Sequence, residues 1–173
     1  MKLLDNAHIS LRAVEPTDLD TIFEWENDTK IWQYGSTVAP YSRLQIYEYI
    51  KNYSADIFKD SQLRLVVVEK HSGKPVGMVD LFEFSPMHLR AYVGILIRDE
   101  FRGKGYGYEA VSSLIEYASN FIGLHQLAVN IPKDNGASLG LFSKLGFSQT
   151  GVLKDWLRAG NSYNDVVVMQ KIL

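Results

Sequence analysis

Cysteine is missing from the sequence altogether, which excludes disulfides, thiolate nucleophiles and Cys-built metal sites. A charge bias is missing too. Lys and Arg number 18 against 20 Asp and Glu, and the formal net charge of −2 provides no basic face for nucleic acid. No apolar run approaches the length that spans a bilayer, and residues 1–10 lack the apolar core of a signal peptide. The four histidines, His8, His71, His88 and His125, stand apart without metal-ligand spacing. These absences lead us to expect a cytoplasmic protein with no metal, no membrane partner and no nucleic-acid partner. With 46% hydrophobic and 22% charged residues, residues 1–173 are expected to form one globular domain.

Within that frame the chain alternates strand and helix signals. Residues 8–14 read as a first strand, and Pro16 with Thr17 and Asp18 opens a helix reaching about Asn27. Residues 28–41 read as irregular, with Gly35 and Pro40 as breakers. Ser42 and Gln45 form a capping-box pattern that starts a second helix running to about Lys59. Residues 62–70 and 74–84 read as a hairpin about Ser72-Gly73, and 88–97 as a fourth strand in which Gly94 implies a bulge or a close approach. Gly107, Ala110, Val111, Leu114, Ile115 and Ala118 form the clearest helical stripe in the chain. A fifth strand (124–131), parallel to the fourth, a helix (134–145) and two strands (147–157 and 162–172) complete the order. The expectation is an α/β fold with a mixed sheet of about seven strands flanked by about four helices.

Between the fourth strand and the striped helix lies Arg102-Gly103-Lys104-Gly105-Tyr106-Gly107. Glycines there free the backbone to aim several N–H groups at one point, and a helix start favours phosphate. A Walker loop would need glycine five residues before Gly103-Lys104 and Ser or Thr after it, but those positions are Arg98 and Gly105, so that reading fails. A dinucleotide fold could use Gly105, Gly107 and Ala110, but Val129, Asn130 and Ile131 supply no acid at the end of the next strand.

Two separate motifs resemble the GNAT superfamily of acetyl-CoA-dependent N-acetyltransferases. Arg102-x-x-Gly105-x-Gly107 resembles its Gln/Arg-x-x-Gly-x-Gly/Ala loop. Asn135, Ser138, Phe142 and Leu145-Gly146-Phe147 are similar to its second signature. Pro75 to Leu81, His88 to Ala91 and Asn161 to Asp165 resemble the branch holding bacterial spermidine and ribosomal-protein N-terminal acetyltransferases. The resemblance implies a GNAT-like sheet splayed between strands 4 and 5, with acetyl-CoA as co-substrate. It implies that Arg102, Gly103, Lys104, Gly105, Tyr106 and Gly107 hold the pyrophosphate. Ile95, Leu96 and Ile97 would seat the thioester through backbone N–H groups, with Asn135, Ser138, Phe142 and Lys144 along the rest of the cofactor. It also implies a homo-oligomer.

An acceptor amine is protonated at neutral pH, and freeing its lone pair costs about 4–5 kcal/mol. Asp80 and Glu83 are the candidates for base or water relay, with Glu26 behind them; each also reads as an ordinary solvent-facing acid. Phe142 stands where many relatives carry the tyrosine that protonates the departing thiolate, and it has no proton to give; Tyr106, Tyr34 or a water are the substitutes. Asn135 and Ser138 also read as capping residues, and Lys144 as a solvated lysine. Glu24, Glu26, Asp28, Asp80 and Glu83, with Trp32, Tyr34 and Tyr41, suit a polyamine through charge and cation–π contact. A peptide N-terminus, another small amine and a CoA-binding module with little activity remain the alternatives.

Overall fold

The computed structural model describes residues 3–32, 34 and 37–173, so the breaker expected at Gly35 lies outside the described residues. Aliphatic runs build seven strands: β1 (Ile9–Ala13), β2 (Leu63–Glu69), β3 (Pro75–Ser85), β4 (Arg90–Ile97), β5 (Gln126–Pro132), β6 (Ser148–Ala159) and β7 (Ser162–Ile172). They form one sheet in the order β1-β2-β3-β4-β5-β7-β6. Each neighbouring pair is antiparallel except β4 and β5, which a helix connects and which therefore run parallel.

The helices are α1 (Leu19–Glu26), α2 (Thr29–Trp32), α3 (Arg43–Asn52), α4 (Ile57–Asp60), α5 (Tyr106–Tyr117) and α6 (Gly136–Lys144). The described residues thus form six helices where about four were expected. The irregular segment contains α2 because Asp28 Oδ1 accepts from the Lys30 N–H at 3.0 Å and starts a single turn. The helix expected to reach Lys59 stops at Asn52, Ala55 takes a positive φ of 57°, and Asp56 caps a new turn through the Phe58 N–H at 2.9 Å. Short polar side chains offer the backbone partners of their own there, which ends a helix that apolar spacing alone would continue.

Alternation sorts the sheet into two faces. Val67, Val79, Leu81, Val93, Leu127 and Val129 pack with Ala110, Val111 and Leu114 of α5 and Phe142 of α6 into the main core. On the opposite face Met78 packs with Ile22 and Trp25 of α1 and Ile46 of α3. The sheet is splayed as expected. β4 and β5 pair only from Arg90–Gln126 to Tyr92–Ala128, although β4 continues to Ile97 and β5 to Pro132. The bulge expected at Gly94 lies elsewhere. Gly94 keeps regular register with Asp80, and the extra residue belongs to β3, between Phe82 and Ser85, where Glu83 has φ 49°.

Asp18 fixes the entry to α1. It is almost fully buried, accepts both guanidinium N–H groups of Arg12 at 2.7 and 2.8 Å, and accepts the Glu15 N–H at 2.8 Å. Burial pushes this carboxyl up, but those donors outweigh burial and hold it below its usual value. Asp18→Asn should cost about 1–2 kcal/mol in urea unfolding at neutral pH, a modest figure because Arg12 is partly exposed. The native carboxylate contributes above its unfolded pKa of about 3.9, and that contribution fades as pH falls through the lower folded value. The gap between the two proteins should therefore narrow below pH ~3.9.

Candidate functional site

The splay leaves a cleft with the glycine loop at its end. Beyond Tyr92 the β5 side of β4 has no strand partner. After Ile97 the chain makes one tight turn (Asp99–Phe101), passes the loop, and enters α5 at Tyr106 with Gly105 as its cap at φ 84°. No side chain caps α5, whereas Ser42 caps α3 and Asn135 caps α6. Its first-turn N–H groups therefore keep their capacity for an anion. A cavity of about 450 Å³ opens here, walled by Ile95, Leu96 and Ile97, by Arg102, Gly103, Gly105, Tyr106 and Gly107, and by Asn135, Ala137, Ser138 and Leu141. Ile31 and Tyr34 also line it.

The cavity thus gathers most of the expected cofactor residues. Arg102 reaches it while donating from Nε to the Ile97 carbonyl at 3.1 Å and pairing with Asp99 at 3.1 Å. Asn135 Oδ1 accepts from the Ser138 N–H at 3.2 Å, so both residues cap α6 and line the cavity. Three residues sit differently. Lys104 lies over the Phe101 ring at 5.0 Å and outside the lining. Lys144 is exposed on the last turn of α6 and also outside it. Phe142 is 1% exposed and meets Phe147 edge-to-face at 5.0 Å in the core, while Leu141 faces the cavity. The Tyr106 hydroxyl donates to the Glu69 carboxylate, which raises the tyrosine pKa. Glu69 itself is held low by hydrogen bonds from Ser72 and Tyr106.

On the other side of β4 the expected acids are organised by two arginines. Arg64 donates from Nε to Asp80 Oδ1 at 2.6 Å and from Nη1 to Glu26 Oε1 at 2.8 Å, beside the Tyr49 ring at 5.6 Å. The Asp80 and Glu26 charges outweigh desolvation and raise the Arg64 pKa, so the guanidinium stays charged. Burial pushes the Tyr49 hydroxyl up to about 12. Arg98 pairs with Asp28 at 3.1 Å and Glu24 at 3.6 Å. The Lys30 N–H, followed by Arg98, holds the Asp28 carboxyl below its usual range. Trp32 donates its indole N–H to the Glu26 carbonyl at 2.8 Å, and Tyr41 is tied to Asn27 through its backbone at 2.8 and 3.0 Å. A hollow of about 270 Å³ lined by Asp28, Lys30, Arg98 and Asp99 shares Ile31, Tyr34, Leu96, Ile97 and Arg102 with the main cavity. Glu83 is apart from this group, in a separate cavity of about 260 Å³.

Arg64 and Arg98 are the residues that sequence reasoning missed. Their signal is present nonetheless: each is a lone cation beside an apolar strand run, Leu63-Arg64-Leu65 and Ile95-Leu96-Ile97-Arg98, where a charge must be paired. Among the described residues no group of three or more His, Asp or Glu is placed to hold a metal, and no helix is long and apolar enough to cross a membrane.

Comparison with known proteins agrees with this geometry. A family model, the acetyltransferase (GNAT) domain, matches residues 8–148. The chain is 28% identical over 167 residues to a spermidine N(1)-acetyltransferase of Escherichia coli K12, covering 96% of this chain and 87% of that protein. It is 27% identical over 177 residues to the putative ribosomal N-acetyltransferase YdaF of Bacillus subtilis, covering 94% of this chain and 90% of that one. The spermidine N-acetyltransferase of Vibrio cholerae, solved with CoA and spermine, superposes with a TM-score of 0.85 at 27% identity over 96% of both chains. The uncapped helix start, the splayed strands and this match together make the chain a member of the GNAT acetyltransferase family, an acyltransferase that uses acetyl-CoA.

Proposed function

We propose that the protein acetylates a primary amine of a polyamine such as spermidine, by direct attack on acetyl-CoA in a ternary complex. One observation carries the choice of acceptor. Among the described residues Asp80 and Glu26 have ion pairs only to Arg64, two carboxylates on one cation, and Asp80 stands opposite Gly94, two residues from Leu96 in the cavity at the glycine loop. An ammonium group drawn to those carboxylates reaches the acyl end without a covalent relay. The names of the Escherichia coli and Vibrio cholerae relatives support the same acceptor.

Each step falls to groups of this chain. The first turn of α5 and Arg102 bind the pyrophosphate of acetyl-CoA. Backbone N–H groups among Ile95, Leu96 and Ile97 that face away from β3, where β4 has no β5 partner, stabilise charge on the thioester oxygen. Asp80, directly or through a water, takes the amine proton, and the Arg64 hydrogen bond orients its carboxylate. Phe142 offers no proton, so the thiol leaves as thiolate, acceptable at a pKa of about 8.5, or takes a proton from Tyr34 at the cavity mouth. Glu24, Asp28, Trp32 and Tyr41 shape the acceptor approach. The proposed compartment is the cytoplasm and the proposed state a homo-oligomer, as in the dodecameric Vibrio cholerae relative.

Thiol release from acetyl-CoA across spermidine, spermine, N-terminal peptides and aminoglycosides tests the reading. Release with the polyamines supports it. Release with peptides alone assigns a protein acceptor, and no release despite stabilisation by CoA indicates a binding module.

Gly105→Val tests the cofactor site. Space for a side chain exists there, but φ is 84°, a conformation that costs a β-branched residue about 1–3 kcal/mol. Calorimetry should find acetyl-CoA affinity reduced roughly ten- to a hundredfold while thermal unfolding stays cooperative. Unchanged affinity would contradict the assignment.

A further inference from the structure

A second cavity, of about 260 Å³, lies at the end of β4 where the two half-sheets still meet. It is lined by Glu83, Arg90, Tyr92, Gln126, Thr150 and Gln170 among others. The β3 bulge brings Glu83 there: an extra residue between Phe82 and Ser85 puts Glu83 at φ 49° and out of the regular alternation of the strand. Among the described residues the Glu83 carboxylate makes no ion pair within 4.0 Å, unlike Asp80, Glu26 and Asp28. Gln170 donates an amide N–H to the Gln126 carbonyl, so the Gln170 oxygen stays available as an acceptor.

The two cavities border the same strand, β4. Tyr92 lines the second cavity and Leu96 the cofactor cavity, and strand alternation puts Tyr92, Gly94 and Leu96 on the same side. Gly94 carries no side chain between them, and a methyl group built there would lie only 3.5 Å from Asp80 Oδ2 and the Phe82 ring. Phe82 and Tyr92 stack at 5.7 Å beside this gap. Along this face Asp80 stands opposite Gly94, the Phe82–Tyr92 pair follows, and Glu83 lies beyond it in the second cavity. Four residue steps lead from Leu96 to Tyr92, a span of roughly 13 Å.

We propose that this second cavity is the distal subsite of the acceptor, in which Glu83 holds the far ammonium group of a linear amine while the near nitrogen faces the thioester. Methylene groups between the nitrogens lie against Phe82 and Tyr92. Arg90 lines the same cavity and opposes a cation, so the two residues act with opposite sign. Glu83 is then a specificity residue, not the base. The proposal rests on the amine acetyltransferase reading given above.

The test is kcat/KM for a series of linear diamines from propanediamine to dodecanediamine, with acetyl-CoA saturating. The wild-type protein should favour octanediamine over propanediamine, whose second nitrogen falls short of Glu83. In Glu83→Gln that preference should fall roughly three- to tenfold, through KM, and in Arg90→Gln it should rise. Acetyl-CoA affinity, measured by calorimetry, should be retained in both variants. An unchanged preference in Glu83→Gln overturns the proposal while leaving the acetyltransferase reading intact. An equal fall in kcat for short and long diamines also overturns it, by placing Glu83 in proton transfer. If the wild-type protein acetylates no diamine, the amine reading fails and the subsite fails with it.

Discussion

The separation of β4 from β5 after three residue pairs is the constraint on which the rest of the site depends. Each strand stays loyal to its outer neighbour: β4 follows β3 as far as Ile97–Gly77, and β5 follows β7 as far as Pro132–Val166. Strand twist accumulates separately in the two halves, so strands parallel at one end diverge at the other. The divergence creates the cleft, frees backbone groups along β4, and aims the strand end at the glycine loop. Had the ladder continued, the backbone groups on that side of β4 would be spent on β5.

Electrostatics divides the cleft into two sides. On the loop side, an uncapped helix start and Arg102 present positive charge. On the far side, Arg64 and Arg98 hold the acids of α1, β3 and the 28–32 segment in place. Pairing of this kind orients the carboxylates more than it stabilises the fold, since desolvation offsets much of the attraction. Its consequence is geometric. Asp80 is fixed opposite Gly94 on β4, and the segment carrying Trp32 is tied to the end of α1 through the Glu26 carbonyl.

Local signals made much of this legible in the sequence. The stripe from Gly107 to Ala118 and the motif spacing identified α5, its loop and the strand before it, because periodicity and glycine chemistry act over a few residues. Resemblance to the family's second signature, not periodicity, is what pointed to Asn135 and Ser138, and both line the cavity at the glycine loop. What the sequence concealed depends on contacts distant along the chain. Arg64 meets partners 16 and 38 residues away, so no window of sequence displays the cluster. Phe142 shares a helical spacing with Asn135 and Ser138, yet Phe147 and the main core draw its ring inward and leave Leu141 at the cavity. The bulge went to Glu83 because register is decided by two strands together, and Gly94, the residue that invited the expectation, serves instead to leave the floor open.

One strand borders both the cavity beside the glycine loop and the acidic cluster around Asp80, and the chain has no cysteine. On this rests our proposal that both substrates are bound together when the acetyl group moves. Initial rates of thiol release, with acetyl-CoA and spermidine varied against one another, test this directly. Intersecting double-reciprocal lines are the predicted result. Parallel lines, the signature of an acetylated enzyme intermediate, would contradict the account.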